Sequence, residues 1–483
     1  MNRIKIFLAL IILGSIHSVN AEHLRLYQPP EGTDAAPDFE VVVNGQETFV
    51  YNTPHFAFTY FDFQGEAEIE IYSTRDIKWV DIRPKSQEIS FISTSNKIGF
   101  ILNDPSQLSI ELNGENARPL YILANPPALP KPKKNKDVLV FEEGKTYNVK
   151  HYMLESNQQV HIEGGAIVKG MFDLQNADNV KITGRGIIDG SDNEKLDLPR
   201  LIKMNDATNV EVSGVMFLNS LRWTIQPSDC ENILFDNVKL LNWDTGSDGI
   251  DICSSKNVMV KNSFLRCNDD CIVIKTPGDR SYYPEPKPLG NDASDILVEN
   301  CVLWNMAWGN AIEIGFELRS EKVENVVFRN IDVINVDRGA VISIHNGDYA
   351  TVQNVIYENI RIENAQHKLI DFAIFLSQYS YDRPNEENYR SKYYLQGAWD
   401  GVQKIREGKQ KFHAAYRGHI KNISFKNIRV VDGPAPFSII SGFDNKHNVE
   451  NVEFEDLYFH TEKITGARQG KFFVEHAKDI TFK

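Results

Sequence analysis

Residues 138–483 predict a right-handed parallel β-helix and residues 22–124 a smaller antiparallel β-sandwich, so the fold class is all-β. Three observations carry this. An Asn or Asp opening an apolar-alternating run, broken by a second Asn or Asp, recurs along the later two thirds of the chain. Ahead of it, short alternating runs are separated by turn signals at short intervals. Two acidic clusters, Asp248 with Asp251 and then Asp269–Asp270, sit in the repeats, with Asp269 21 positions after Asp248.

Taken in order, residues 1–21 read as a secretory signal: basic Arg3 and Lys5, an apolar run from Ile6 to Ile16, and the small-residue site Val19-Asn20-Ala21. The apolar run is too short to span a bilayer. The mature chain is therefore expected to be periplasmic or secreted, without membrane insertion. The runs FEVVVNG, FAFTYFDF, AEIEIYS, KWVDIRP, ISFIS, KIGFIL, QLSIELNG and PLYILANP then predict the sandwich strands. Residues 125–137, NPPALPKPKKNKD, form a Pro- and Lys-rich linker.

The repeat begins weakly at Asn179 and Asn209 and is clear from Asn232 (NILFDNVKLLN), Asn257, Asp295, Asn325 (NVVFRNIDVIN), Asn354, Asn422 and Asn451. Most starts are 23 to 30 residues apart; gaps of 38 and 68 residues hold insertions near 276–293 and 366–418. This period with period-2 alternation predicts stacked turns, Val, Ile, Leu and Phe inward and Asn at left-handed corners. A leucine-rich solenoid is the competing repeat, but its helical period and Leu pattern are absent. The insertions carry Arg280, Tyr282, Tyr283, Tyr379, Tyr381, Tyr389, Arg390, Tyr393, Tyr394 and Trp399. These are either sugar-stacking platforms or anchors for the loops.

The net charge of −14 disfavours nucleic acid and anionic membrane as partners, and it becomes about −16 once Arg3 and Lys5 are removed. All five Cys (Cys230, Cys253, Cys267, Cys271, Cys301) fall within the repeats without zinc spacing, which favours buried thiols. No calcium-loop spacing occurs, so no metal and no cofactor is expected.

If one coil turn separates the clusters, Asp248 and Asp269–Asp270 become neighbours about 5 Å apart on adjacent rungs. Carboxyls this close cannot all ionise freely, so one keeps a proton near neutral pH. That supplies an acid and a base from identical side chains, as glycosidic hydrolysis requires. The competing view is that Ser-Asp-Gly and Asn-Asp-Asp are turns only.

SDGIDI followed 21 residues later by NDDCIVI resembles the polygalacturonase-type (family 28) glycoside hydrolases and their dextranase and isopullulanase relatives. The family pattern is Asn-Thr-Asp-x-x-Asp, Asp-Asp-Cys, Gly-His-Gly and Arg-Ile-Lys. The resemblance implies Asp269 as general acid, and Asp248 with Asp270 as the pair that activates water, with inversion. It also implies a polysaccharide or oligosaccharide substrate. The chain departs from the pattern: Gly246-Ser247 replaces Asn-Thr, Asn310 stands for the family His, and Val341 and Ser343 stand for the Arg and Lys that grip a uronate. Polygalacturonate is therefore not the expected substrate.

Lys275, Trp308, Asn310, Glu313 and His345 are the candidate substrate contacts; Glu313 alternates with inward Ile312 and Ile314. Glu317, Trp243 and Trp304 are secondary candidates, and Asp251 reads as a structural turn residue. Lys275, Arg319 or Arg390 could replace the missing cation. A pectinase, a polysaccharide lyase and a non-catalytic carbohydrate-binding β-helix remain alternatives, and oligomeric state is not legible.

Overall fold

A computed structural model describes residues 23–196, 199–278, 290–382 and 413–483. The signal segment and the insertion residues Arg280, Tyr282, Tyr283, Tyr389, Arg390, Tyr393, Tyr394 and Trp399 lie outside the described residues. Among the described residues no helix is long and apolar enough to cross a membrane.

Twenty-eight strands, from Val138–Phe141 to Ala477–Phe482, coil into one sheet in which each strand pairs with its counterpart a turn away. The pairings are parallel except for Glu462–Lys463, which folds back on Val449–Phe459. One column of inward residues runs Ile225, Ile250, Ile272, Ile312, Ile342, Ile370. All six lie in a continuous apolar core. Within it the rings of Phe328, Tyr357, Phe425, Phe454 and Phe482 stack at centroid spacings of 5.3, 4.8, 4.6 and 4.7 Å. These rings occupy the same position of successive repeats, and the column continues across the 68-residue gap between Asn354 and Asn422.

The repeat-opening Asn residues sit at positive φ, among them Asn232, Asn257, Asn325, Asn354, Asn422 and Asn451. Asn tolerates this region because its short amide can bond locally. Here the amides bond to one another between rungs: Asn257 Nδ2 donates to Asn232 Oδ1 at 2.6 Å and Asn451 Nδ2 to Asn422 Oδ1 at 2.8 Å. The second Asn of the repeat builds a parallel ladder, with Asn330 Nδ2 donating to Asn300 Oδ1 at 2.6 Å. All five cysteines are buried and free.

The N-terminal region is a sandwich of a six-stranded and a five-stranded sheet around its own core. Its last strand is Glu115–Asn125, and Val138–Phe141 opens the coil. One pairing departs from the expected antiparallel order: Glu115–Asn125 runs parallel to Ala57–Gln64. The intervening chain passes through the other sheet, and a connection of that length permits either direction.

The sandwich packs on the coil through an aromatic layer in which Tyr27, Tyr60 and Tyr121 meet Phe264, Trp304 and Ile334. Trp304 is fully enclosed there, so it is a packing residue and not a sugar platform. Two ionic ties reinforce the layer: Arg185 Nε to Asp62 Oδ1 at 2.9 Å, and Arg83 Nη1 to Glu363 Oε2 at 2.5 Å.

Candidate active site

The turns before successive strands stack as the strands do. Gly249 N donates to Asp270 O at 2.8 Å, Cys271 N to Asn310 O at 2.9 Å, and Ala311 N to Ala340 O at 3.0 Å. This ladder brings the 21-residue spacing into register: oxygens of Asp248, Asp269 and Asp270 converge within 4.8 Å of one another. The three acids are thus turn residues and a cluster at once. Asp248 and Asp270 are buried, whereas Asp269 is partly exposed.

Gly309 makes room for the cluster. Its φ is +61°, and a Cβ there would lie 2.3 Å from Asp270 N and 2.4 Å from Asp269 Oδ1.

Asp251 is not a turn residue. It lies on the Ile250–Cys253 strand, between core residues Ile250 and Ile252, with its side chain on the outer face and enclosed. Lys275 reaches it from the next rung: Nζ is 2.9 Å from Asp251 Oδ1, 3.3 Å from Asp248 Oδ2, and 3.8 Å above the Trp223 ring. Lys275 was expected to touch substrate; instead it is the buried counter-charge of the cluster. Burial pulls its ammonium down, but Asp251 and Asp248 outweigh that and hold it well above the usual lysine value.

Burial raises all four aspartates. Asp248 is pushed well up by desolvation and then by Asp251, and Asp270 by desolvation, Asp269 and Glu313. Desolvation also raises Asp269 and Asp251, with Lys275 opposing it. The cluster therefore titrates as a unit and retains protons above the ordinary carboxylate range.

A second set of ionic groups continues along the outer face. Asp251, Val273, Glu313, Ser343 and Asp371 share one register column. Asn310 links the two sets: its backbone N donates to Asp270 Oδ1 at 2.7 Å, and its Nδ2 donates to Glu313 Oε2 at 2.9 Å. Ser343 Oγ also donates to Glu313 Oε2. His345 Nδ1 lies 2.9 Å from Glu313 Oε2 and its Nε2 3.2 Å from Asp371 Oδ2, while Lys368 Nζ bonds Asp371. Desolvation lowers His345, but Glu313 and Asp371 override it and bring the imidazole up to about 9.

Asn310, Glu313 and His345, expected to contact substrate, are enclosed and engaged with protein partners. The physical reason is that unpaired charges in an enclosed wall are too costly, so the rungs pair them internally. Glu317 is likewise buried. Arg319 is paired with Asp348 and bonds the carbonyls of Pro277 and Tyr379. Val341 is in the core and Ser343 is bonded to Glu313, so neither position carries a cation.

Trp308 is different. It is 49% exposed, adjoins Gly309 beside Asp269, and has the guanidinium of exposed Arg338 5.4 Å from its ring centroid. Trp243 is partly covered by the sandwich, with His55 stacked on it at 3.4 Å. Asp371, Lys368, Trp223 and Arg338 went unnoticed in the sequence. One signal was available: Asp371 between Ile370 and Phe372, like Asp251 between Ile250 and Ile252, repeats the pattern that singled out Glu313.

The sequence profile of "Glycosyl hydrolases family 28" matches residues 130–379. Among curated relatives, "Probable exopolygalacturonase B" of Aspergillus fumigatus is 27% identical over 221 residues, covering 40% of this chain and 45% of the relative. "Exopolygalacturonase" of Cochliobolus carbonum is 25% identical over 230 residues, covering 41% and 47%. The match thus spans about half the length of these relatives. Of solved structures, Dex49A from Penicillium minioluteum superposes with a TM-score of 0.64 at 16% identity, covering 95% of this chain and 96% of that one. Polygalacturonase from Erwinia carotovora ssp. carotovora gives 0.50 at 16% identity, covering 72% and 89%. At such identities the structures speak for the fold alone. The profile speaks for more, because it spans over half of the chain and takes in the whole acid cluster, and on that ground this protein belongs to glycosyl hydrolases family 28.

Proposed function

We propose that the protein is an exported, inverting glycoside hydrolase acting on a polysaccharide, with Asp269 as general acid and Asp248 and Asp270 as the pair that activates water. The observation that carries this is the convergence of the three carboxyls within 4.8 Å, with only Asp269 facing solvent. In the free enzyme the more enclosed Asp248 and Asp270 compete with Asp269 for the cluster's protons. A sugar covering Asp269 removes the water it now faces and raises its proton affinity, which puts the donor next to the leaving oxygen.

The spacing is shorter than the about 6.5–9.5 Å usual between the carboxyls of inverting enzymes and nearer the about 5 Å of retaining ones. Inversion is nevertheless the better reading, because the protein holds one oxygen of each inner carboxyl and leaves the other to take a water. Asp248 is bound by Lys275, and Asp270 Oδ1 accepts from Asn310 N at 2.7 Å. Both are recessed, which suits them to hold a water rather than reach an anomeric carbon. Proton NMR of the first anomer released decides this, and initial retention refutes it.

For the substrate we favour a chain other than polygalacturonate. The names of the curated relatives do not favour this. The support is local: Val341 and Ser343 offer no charge, and Lys275 and Lys368 are paired with carboxylates inside an acidic wall. The uronate reading draws on Arg338 over Trp308 at the exposed rim. Initial rates on neutral and uronic polysaccharides at low and moderate salt separate the two, and a clear preference for polygalacturonate restores the pectinase reading. Asp269→Asn should lower turnover about 10²–10⁴-fold with the fold intact. A variant keeping a tenth of the activity would remove Asp269 from the role of acid.

A further inference from the structure

The ionic groups beyond the acid trio are too closely linked to it to be scaffolding alone. Asn310 Nδ2 is shared between two carboxylates, lying 3.3 Å from Asp270 Oδ1 and 2.9 Å from Glu313 Oε2. Its Oδ1 is fixed by Ala340 N at 2.8 Å, so the amide cannot turn over without losing that bond. Glu313 is fully enclosed, and its neutralising partner is the imidazole of His345.

Carboxylates face both ring nitrogens of His345, which calls for a proton on each, and the ring of Phe316 stacks on it at 4.7 Å. Lys368 neutralises Asp371 at the far end. The row Glu313, His345, Asp371, Lys368 therefore alternates in sign and sums to zero. Its negative end is the one nearest Asp270.

We propose that Glu313, held by His345, is a positioning residue that decides, through Asn310, the pH at which Asp270 gives up its proton. The proposal rests on the assignment of Asp270 to the water-activating pair. Glu313 reaches Asp270 through the Asn310 amide and through its own charge, which Asp269 also feels, so it acts on the carboxyl cluster and not on the substrate. The other charged groups facing Asp270 are Asp269, Asp248, Asp251 and Lys275, and none of them belongs to the row. Removing a charge from the row thus leaves the trio and its counter-ion in place.

The geometry makes two near-isosteric changes act in opposite senses. Glu313→Gln removes the nearer negative charge, so Asp270 ionises more readily. Even if His345 then loses its proton, the closer charge has gone and the sign stands. His345→Gln removes the positive charge, while the bonds that Ser343 and Asn310 donate to Glu313 favour its ionised form, so the field at Asp270 becomes more negative and ionisation is delayed.

The test is the acidic limb of kcat/KM against pH, which reports the free enzyme's essential base as the apparent value of the coupled carboxyl cluster. It should move down by about one pH unit in Glu313→Gln and up by about one in His345→Gln. Ser343→Ala, which deletes a contact without a charge, should leave it in place. A purely structural role would lower activity in both variants without moving the limb. Shifts of the same sign, or none, overturn the proposal, and if one variant fails to fold, the sign in the other decides. Should the wild type cleave no glycan at all, the functional reading fails separately. The titration of ¹³C-labelled aspartate, with Asp270→Asn for assignment, then reads the same two shifts without catalysis, and their absence overturns the inference.

Discussion

Lys275→Met removes the cation that bonds both Asp248 and Asp251, and its cost follows from the distances. At 2.9 and 3.3 Å, and with an effective dielectric of about 20, each attraction is worth about 5 kcal/mol before desolvation. Burying the ammonium and two carboxylates offsets several kcal/mol of that. Truncating one partner leaves the two carboxyls enclosed without their bonded counter-charge, although Arg200 still attracts both, so the net loss at pH 7 should be about 3 kcal/mol. Methionine keeps much of the volume and the contact with Trp223, which limits the cavity contribution.

The pH dependence identifies the cause. Asp248 and Asp251 already have folded-state values raised above the ordinary carboxylate range. A carboxyl of that kind costs stability as pH rises from its unfolded value to its folded one. Without Lys275 both values rise further, so the defect relative to wild type should grow with pH and shrink as pH falls towards the ordinary range. Urea unfolding of both proteins at pH 5 and pH 7.5, followed by circular dichroism, measures it. A loss below about 1 kcal/mol, or one equal at both pH values, would refute the charge argument in favour of packing alone.

Asp248→Asn and Asp270→Asn should each be severe, and the double change should cost little more than the worse single one, since groups that hold one water act as a unit. Multiplicative losses in kcat would mean that one of them is structural. Gly309→Ala should cost about 1–2 kcal/mol of stability for its left-handed backbone. Because the new Cβ meets Asp269 Oδ1 and Asp270 N, kcat should also fall about 10²-fold. Wild-type kinetics in that variant would mean that the close approach does not hold the acid in place.

The coil was legible because its determinants are local and repeated. The Asn corners, the alternation and the one-turn spacing of Asp248 and Asp269 are all periods in the sequence, and a parallel coil converts a period into a contact. Glu313 on the outer face followed from the same alternation. What each charged group does was not legible. Lys275, Glu313 and His345 look like ligand contacts in a linear reading because nothing local reveals their partners. Asp251, Ser343 and Asp371 reach them from other rungs, up to 32 residues away in the case of His345 and Glu313.

The sequence by itself thus determined the architecture, the family and the three acids that converge. Tertiary structure alone decided which charges are closed into the wall, that Trp304 is packing, and that Asp269 is the acid left facing solvent. The physical reason is that periodicity dictates which residues become neighbours. Burial and the pairing of charge depend on everything that stacks above, below and against them.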